Sequence, residues 1–386
     1  MRKKFMAMGM AVMMTVAACL SGCGSSKTTE EAAVKTGEPV EVSSELKDEL
    51  KKYTEMTTDY SVEGATTIDA KNIMAGKKLF ILPGNYTVKF SQTTCDNMKR
   101  ICDELGITAD IFPTDGTTAK WVEGMEQAVN QKYDAILCFS GVTMEEIGPQ
   151  VENAKNAGIP VIDLHFHDFS DADSCSSSYC IPANYEEFGY ALALYSISQG
   201  GTNSEYLMVT SDDLAASLSM EKGMKSAFEK YAPNAKIVKK SVTCPDWSTK
   251  IQAEVQNALN TNPNISYVIS CFDSTLLYVT AGIEGAGRSG SVKCNGYNGT
   301  PDILDFVKSG SVDADLGECL ELMAYGCLDQ TFRIIGDQPV LRDENPPMYF
   351  WTSENIDAAI GEDGKAGFGG YDNSYIEYYK ELWSVK

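Results

Sequence analysis

The chain has 386 residues, of which 43% are hydrophobic, and its formal net charge is −22. That length exceeds what one typical hydrophobic core organises and fits two domains with terminal extensions. The excess of 54 acidic over 32 basic residues repels nucleic acid, and no basic patch offsets it.

The first residues have the pattern of a secretory signal. Arg2, Lys3 and Lys4 precede an apolar run from Phe5 to Leu20, which is shorter than the roughly 20 residues that span a bilayer. We therefore predict that residues 1–22 are a cleaved signal peptide. The junction that ends at Cys23 resembles a bacterial lipobox, which implies acylation of Cys23 and an extracytoplasmic body held at the cell membrane. Ordinary secretory cleavage beside a chance cysteine is the alternative.

Residues 23–76 are rich in Gly, Ser, Thr, Glu, Ala and Lys. Such a composition buries too little apolar surface to fold alone, so we predict a lipid-anchored flexible tether that contains one helical patch, Ser43 to Thr57. Nothing before about residue 76 is expected to touch a ligand.

Cysteines are frequent in the chain, with twelve in total. Cys138 and Cys271 lie inside apolar runs and are typical of buried small hydrophobes. Only Cys175 and Cys180 are close enough in sequence for an obvious disulfide, and whether they form one stays open. The absence of a Cys-x-x-Cys pair removes the usual thiolate zinc signature.

From Lys77 onward, short apolar runs alternate with amphipathic stretches. This alternation predicts an α/β fold of two doubly wound parallel-sheet domains, because parallel strands need helical crossovers on both faces. Ligands of such sheets bind beyond the carboxyl ends of the strands. The predicted strands of the two halves are 79–82, 107–112, 135–139, 160–164, 206–209, 237–242, 267–271 and 292–295.

Two local motifs carry a family resemblance. The stretch Gly296-Tyr-Asn-Gly-Thr-Pro-Asp302 resembles the motif Gly-Phe-Asp-Gly-Thr-Pro-Asp of ribose and galactose type periplasmic binding proteins, and the stretch from Asn156 to Ile162 resembles their approach to the fourth strand. The similarity covers about Lys77 to Asn355.

The resemblance implies a type I fold in which the chain crosses three times between two lobes, and it implies the lobe boundaries. The crossings are expected near 182–184, 316–318 and 351–353. The N-terminal lobe would hold 77–182 plus 319–351, and the C-terminal lobe 184–317 plus 353–386. Closure would be a hinge motion at the crossings.

The resemblance also implies the residues of a ligand cleft. Phe90 and Trp247 match aromatic residues that stack on sugar rings, and Trp247 and Asn298 are expected to matter more to binding than to folding. At several of these positions the residue of this chain differs from the one in ribose-binding members of the family. The resemblance therefore does not imply that the ligand is ribose. The expected ligand-binding residues are Phe90, His165, Phe166, Met220, Trp247, Phe272, Asp273, Asn298 and Glu318.

The two histidines of the chain, His165 and His167, would point to one face of a regular strand. A metal site there is an alternative, but no third and fourth ligands are identifiable, so we predict no metal, no cofactor and a ligand contact for His165. No nucleophile elbow or phosphate-cradling loop is present. We therefore predict no catalytic residues and no enzyme activity.

Together these features predict a monomeric solute-binding lipoprotein that delivers a small polar ligand to an ABC transporter permease. Arginines at matched cleft positions are absent, which favours a neutral sugar or polyol over an anion. A ligand-sensing lipoprotein for a signalling receptor is an alternative that shares the same cleft. An exported hydrolase or metal-binding lipoprotein is an alternative of a different class.

Overall fold

Two open sheets form the framework of the protein, whose computed structural model describes residues 41–56, 60–341, 346–359, 371 and 373–385. The signal peptide, Cys23 and Arg342 lie outside the described residues. The strands are β1 (Lys78–Pro83), β2 (Thr108–Ile111), β3 (Ala135–Phe139), β4 (Val161–Asp168), β5 (Tyr179–Ala183), β6 (Glu205–Thr210), β7 (Lys236–Ser241), β8 (Ile265–Ser270), β9 (Lys293–Asn298), β10 (Ala314–Glu318) and β11 (Met348–Thr352). The helices are α1 (Ser44–Lys51), α2 (Ala70–Ile73), α3 (Lys89–Leu105), α4 (Thr118–Asn130), α5 (Gly148–Asn156), α6 (Tyr185–Gly200), α7 (Ala215–Tyr231), α8 (Trp247–Thr261), α9 (Asp273–Gly285), α10 (Pro301–Ser309), α11 (Leu320–Ile335) and α12 (Ser374–Leu382).

The first sheet has the order β2-β1-β3-β4-β5, and all its neighbouring strands are parallel. Its strands β3 and β4 are buried along their whole length. Helices must cover both faces of such a sheet, and α3, α4 and α5 do so. The first sheet with these helices is the first lobe.

The second sheet has the order β11-β10-β9-β8-β6-β7, parallel except for the antiparallel edge pair β10 and β11. Helices α6 and α7 approach closely on one face. A Cβ atom at Gly189 would lie 1.9 Å from the carbonyl oxygen of Met220, and one at Gly223 would lie 1.8 Å from that of Glu186. The second sheet with its helices is the second lobe, and the predicted fold class is confirmed.

The path of the chain near its C-terminus differs from the expected lobe boundaries. Helix α11 packs against α3 of the first lobe, as expected for residues after 319. Strand β11, expected in the first lobe, pairs with β10 in the second sheet. Helix α12, expected in the second lobe, packs against α11, and Trp383 beyond it donates to Asp329 of α11 at 2.7 Å. Helix α12 lies on the first lobe because α11 offers it both an apolar surface and a hydrogen-bond acceptor.

The stretch 41–76 was expected to be a flexible tether, and the described part of it is instead packed onto the lobes. Leu46 in α1 is 1% exposed and Tyr53 is 5% exposed, and Tyr53 accepts a backbone hydrogen bond from Phe350 at 2.8 Å. Further along, Ile68 donates to the carbonyl of Leu382 at 2.7 Å. The tether prediction is therefore wrong for these residues, because their scattered apolar side chains find buried sites on both lobes.

Helices long and apolar enough to cross a membrane are not found in the described part of the chain.

Candidate functional site

A cavity of about 430 Å³ lies between the two lobes at the carboxyl ends of their strands. This volume is within the range of small-molecule sites, about 300 to 1,000 Å³. We call it the inter-lobe cavity. Its wall is formed by Gly84, Asn85, Val88, Phe90, Ser91, Gly116, Thr117, Thr118, Trp121, Ser140, Gly141, Thr143, Glu146, Phe166, Tyr185, Asp213, Leu214, Ala216, Cys244, Pro245, Trp247, Phe272, Ser274 and Asn298.

Aromatic rings from both lobes face this cavity. In the first lobe, Phe90 stacks on Phe139 with ring centroids 5.6 Å apart, and Phe166 lies in β4. In the second lobe, Trp247 and Phe272 have their centroids 6.1 Å apart. Apolar ring faces on two sides suit a ligand with apolar C–H faces and polar edges. Phe90, Phe166, Trp247 and Phe272 thus lie where the sequence places a cleft.

Trp247 has a structural role as well as its place in the cavity wall. Its indole N–H donates to the Ser211 hydroxyl at 2.7 Å and lies 3.1 Å from the Val242 carbonyl, and the residue is only 9% exposed. Removal of a buried aromatic side chain costs about 3 to 5 kcal/mol. We therefore expect Trp247 to matter to folding as well as to binding.

Asn298 ends β9 in the cavity wall with an unusual backbone conformation. Its φ is +150°, a region that L-residues rarely adopt and that costs of order 1 to 3 kcal/mol. The following loop is anchored by Asp273, whose carboxylate accepts from the Thr300 N–H at 2.7 Å and from the Thr300 hydroxyl at 2.6 Å. Backbone strain that is held in place by its surroundings is typical of ligand-binding residues.

Asp273 itself is not in the cavity wall, contrary to expectation. It is 2% exposed and holds Thr300 behind Asn298, so it is a positioning residue. Burial raises the pKa of Asp273 to about 6, and the hydrogen bonds from Thr300 oppose this rise. A carboxyl group that is buried in this way is not available to ligand hydroxyls.

The charges of the cavity wall are negative. Glu146 and Asp213 are its charged members among the described residues, and none is Lys or Arg. Glu146 accepts a hydrogen bond from the Thr118 hydroxyl, and Asp213 accepts from the Cys244 N–H at 2.9 Å. An anionic ligand would meet no compensating cation here.

His165 and Glu318 lie behind the inter-lobe cavity, where the chain crosses between lobes. His165 Nε2 is 3.4 Å from Glu318 Oε1, and Glu318 also accepts from the Tyr297 hydroxyl at 2.6 Å. The His165 Nδ1 atom is 2.7 Å from the Tyr185 hydroxyl, whose pKa is raised by burial and by the Glu318 carboxylate. Both residues line a second cavity of about 310 Å³, the hinge cavity, so their expected contact with ligand in the cleft is corrected to a contact between lobes.

The prediction for Met220 is also wrong. Met220 is fully buried in α7, at the close approach of α7 and α6 that Gly189 permits. A side chain in that helix interface packs in the core of the second lobe and does not reach the cavity.

The model of the family described as periplasmic binding protein domain matches residues 79–338, which is more than half of the chain. The chain belongs to this family. The expected resemblance is thereby confirmed.

Curated relatives of this periplasmic binding protein include two with sugar names. The D-apiose import binding protein of Actinobacillus succinogenes is 26% identical over 235 residues, which cover 60% of this chain and 72% of the relative. The D-allose-binding periplasmic protein of Escherichia coli is 24% identical over 237 residues, covering 58% and 74%.

Solved structures show the same fold. A periplasmic solute-binding protein of Actinobacillus succinogenes with bound D-allose has a TM-score of 0.65 at 19% identity and covers 73% of this chain and 99% of its own. An Agrobacterium vitis solute-binding protein with bound allitol has a TM-score of 0.64 at 20% identity, covering 73% and 97%.

Two aromatic residues of this periplasmic binding protein's cavity escaped the sequence analysis. Trp121 lies in α4 and lines the cavity, and its N–H donates to the Gly84 carbonyl at 2.7 Å. Tyr185 begins α6 at the first crossing and lines the cavity as well. Their positions in the sequence could have revealed them. Tyr185 and Gly84, the hydrogen-bond partner of Trp121, both follow the ends of parallel strands, where ligands of such sheets bind.

Proposed function

We propose that this periplasmic binding protein is an extracytoplasmic solute-binding lipoprotein that captures a neutral sugar or polyol and delivers it to an ABC transporter permease. The observation that carries the proposal is the inter-lobe cavity, with aromatic rings on two sides and no Lys or Arg among its described wall residues. The names of the relatives, which refer to D-apiose and D-allose, support the choice of a sugar.

Five wall residues are proposed to hold the ligand. Phe90 and Phe166 would contact it from the first lobe and Trp247 and Phe272 from the second, with Asn298 as a hydrogen-bonding partner. Closure would bring the two sets together, because a ligand shifts an open and closed equilibrium by its extra affinity for the closed form. The crossings near 182–184 and 316–318 would act as the hinge.

The anchor is a separate part of the proposal. Cys23 would carry the acyl chains that hold the monomeric body at the membrane, and the body would have no catalytic role. Mass spectrometry of the N-terminal peptide of the mature protein tests the anchor: a diacylglyceryl adduct on Cys23 supports it. A mature chain with a free Cys23 or a start elsewhere would refute it.

Calorimetric titration tests the ligand class. D-allose, D-apiose and allitol should be examined beside a sugar phosphate and a sugar acid of matched size. We expect at least one neutral compound to bind and to raise the melting temperature, since a ligand at 100 times its Kd stabilises the folded state by about 2.7 kcal/mol. Tight binding of the phosphate or the acid alone would contradict the proposal.

A further inference from the structure

Four potential metal ligands meet at the β5 edge of the first sheet, outside the inter-lobe cavity. Asp163 and His167 lie in β4, Cys180 lies in β5, and Cys175 lies in the connection between these strands. One ligand atom of each of the four lies within 4.8 Å of the others. Asp163 is 1% exposed and His167 7% exposed.

A break in β4 brings the first two ligands together. In a regular strand the Cα atoms of residues 163 and 167 would be about 13 Å apart. His165 has a φ of +55°, and the register with β5 shifts between Leu164 and Asp168. His167 therefore turns back toward Asp163, and its Nδ1 lies 2.7 Å from Asp163 Oδ2, while His165 faces the hinge.

The sulfur atoms complete the group. Cys175 Sγ lies 3.2 Å from Asp163 Oδ2, and Cys175 and Cys180 are not joined by a disulfide. The other carboxylate oxygen, Asp163 Oδ1, is buried without a hydrogen-bond partner. An unpartnered buried carboxylate oxygen is costly, so a bound cation would remove a real energetic defect.

The donor set selects the class of ion. Thiolate and imidazole ligands are soft or borderline, which excludes Ca²⁺ and Mg²⁺ and favours Zn²⁺. Tetrahedral Zn²⁺ with Zn–S of about 2.3 Å and Zn–N of about 2.0 Å holds its ligand atoms roughly 3.3 to 3.8 Å apart. The atoms observed here need to move by less than about 1 to 1.5 Å to reach that geometry.

We propose that Asp163, His167, Cys175 and Cys180 form a closed, tetrahedral zinc site. Two thiolates, one carboxylate and a neutral imidazole would leave the bound Zn²⁺ complex with a single negative charge. With four protein ligands and no open position, the site is structural. It ties the connection between β4 and β5 to the sheet and fixes the end of β4 that carries Phe166. The inference is independent of the sugar proposal.

Cobalt substitution tests the site. The full mature chain is purified with reduced thiols, stripped of metal by a chelator and titrated with Co²⁺. We expect about one Co²⁺ per chain to bind with a sulfur-to-cobalt charge-transfer band and the intense visible bands of tetrahedral coordination, to be displaced by Zn²⁺, and to raise the melting temperature by several degrees.

Variants assign the ligands. The double variant with Cys175→Ser and Cys180→Ser should lose the charge-transfer band, and His167→Gln should weaken Co²⁺ binding at least tenfold. Cys244→Ser, which removes a partly buried thiol from the other lobe, is the matched control and should keep the band. Circular dichroism of each variant establishes that it is folded.

Two results would overturn the proposal. One is wild-type protein with reduced thiols that binds no Co²⁺ or shows a spectrum without sulfur ligation. The other is a disulfide between Cys175 and Cys180 in the protein recovered from the cell envelope, because the thiolates would then be unavailable to a metal.

Discussion

Replacement of Asn298 by glycine is expected to separate the effect on ligand binding from the effect on folding. Asn298 is 4% exposed and has a φ of +150°, a conformation that glycine adopts without steric cost. The substitution therefore removes the amide while it relieves the backbone. A side-chain truncation elsewhere in the wall, such as at Trp247, would remove core packing as well.

Two opposing effects set the expected stability. Relief of the strained conformation is worth of order 1 kcal/mol or more, and the greater freedom of glycine in the unfolded chain costs about 0.5 to 1 kcal/mol. The melting temperature should therefore change little or rise. Loss of one neutral hydrogen bond to the ligand costs about 0.5 to 1.5 kcal/mol, which corresponds to an increase in Kd of about 2- to 10-fold.

The assay is calorimetric titration with the tightest neutral ligand, paired with thermal melting of the free protein. Asp337→Gly is the matched control, because Asp337 is exposed and also has a positive φ, +52°, far from the cavity wall. The control should leave Kd unchanged. A clear loss of stability in Asn298→Gly with an unchanged Kd would refute the binding role and make Asn298 a structural residue.

Two further predictions concern stability. Leu46→Ala should lower the free energy of unfolding by about 2 to 4 kcal/mol in chemical denaturation, because Leu46 is buried on the second lobe. The exposed control Met56→Ala should have no effect, and equal effects of the two would restore the tether interpretation. Burial raises the pKa of Asp273 to about 6, and burial beside Asp273 raises that of Asp315 well above its usual range. The folded state thus holds more protons than the unfolded state, so stability should fall as pH rises from about 4 through 6. Asp315→Asn should raise the melting temperature near neutral pH and flatten this dependence, and melting curves with the wild-type slope would contradict the assignment.

The fold was largely predictable because parallel sheets leave a strong signal. Buried strands are continuous apolar runs, and β3 was predicted with its observed bounds, 135–139. Strands β5, β10 and β11 were missed. In β10, Asp315, Gly317 and Glu318 interrupt the apolar run although the strand is buried. Tyr179 is exposed, so β5 lacks the apolar run of a central strand. Strand β11 pairs only at an antiparallel edge.

The site was predictable in outline and not in detail. Phe90, Phe166, Trp247, Phe272 and Asn298 lie in the cavity wall because the rule for strand ends and the family positions both apply to them. What that rule cannot show is a local break of the backbone. The positive φ of His165 turns two histidines of one strand in different directions, one to the hinge and one to Asp163, whereas the alternation of a regular strand predicts a shared face.

The packing of the N-terminal stretch was beyond sequence reasoning for a different reason. Leu46, Leu50 and Tyr53 have the i, i+4, i+7 spacing of an amphipathic helix, but so short an apolar stripe in a polar segment does not show which surface it packs against, and Ile68 stands outside the stripe. Their burial depends on complementary surfaces that only the assembled lobes create. The hydrogen bond from Trp383 to Asp329 is equally unpredictable before the fold is known.

A crystal structure of the mature chain with its tightest neutral ligand would show directly which cavity holds the ligand. We expect a sugar or polyol in the inter-lobe cavity, between Phe90 and Phe166 on one side and Trp247 and Phe272 on the other, with a hydroxyl within about 3 Å of the Asn298 amide. A ligand in the hinge cavity, against His165 and Glu318, would contradict it.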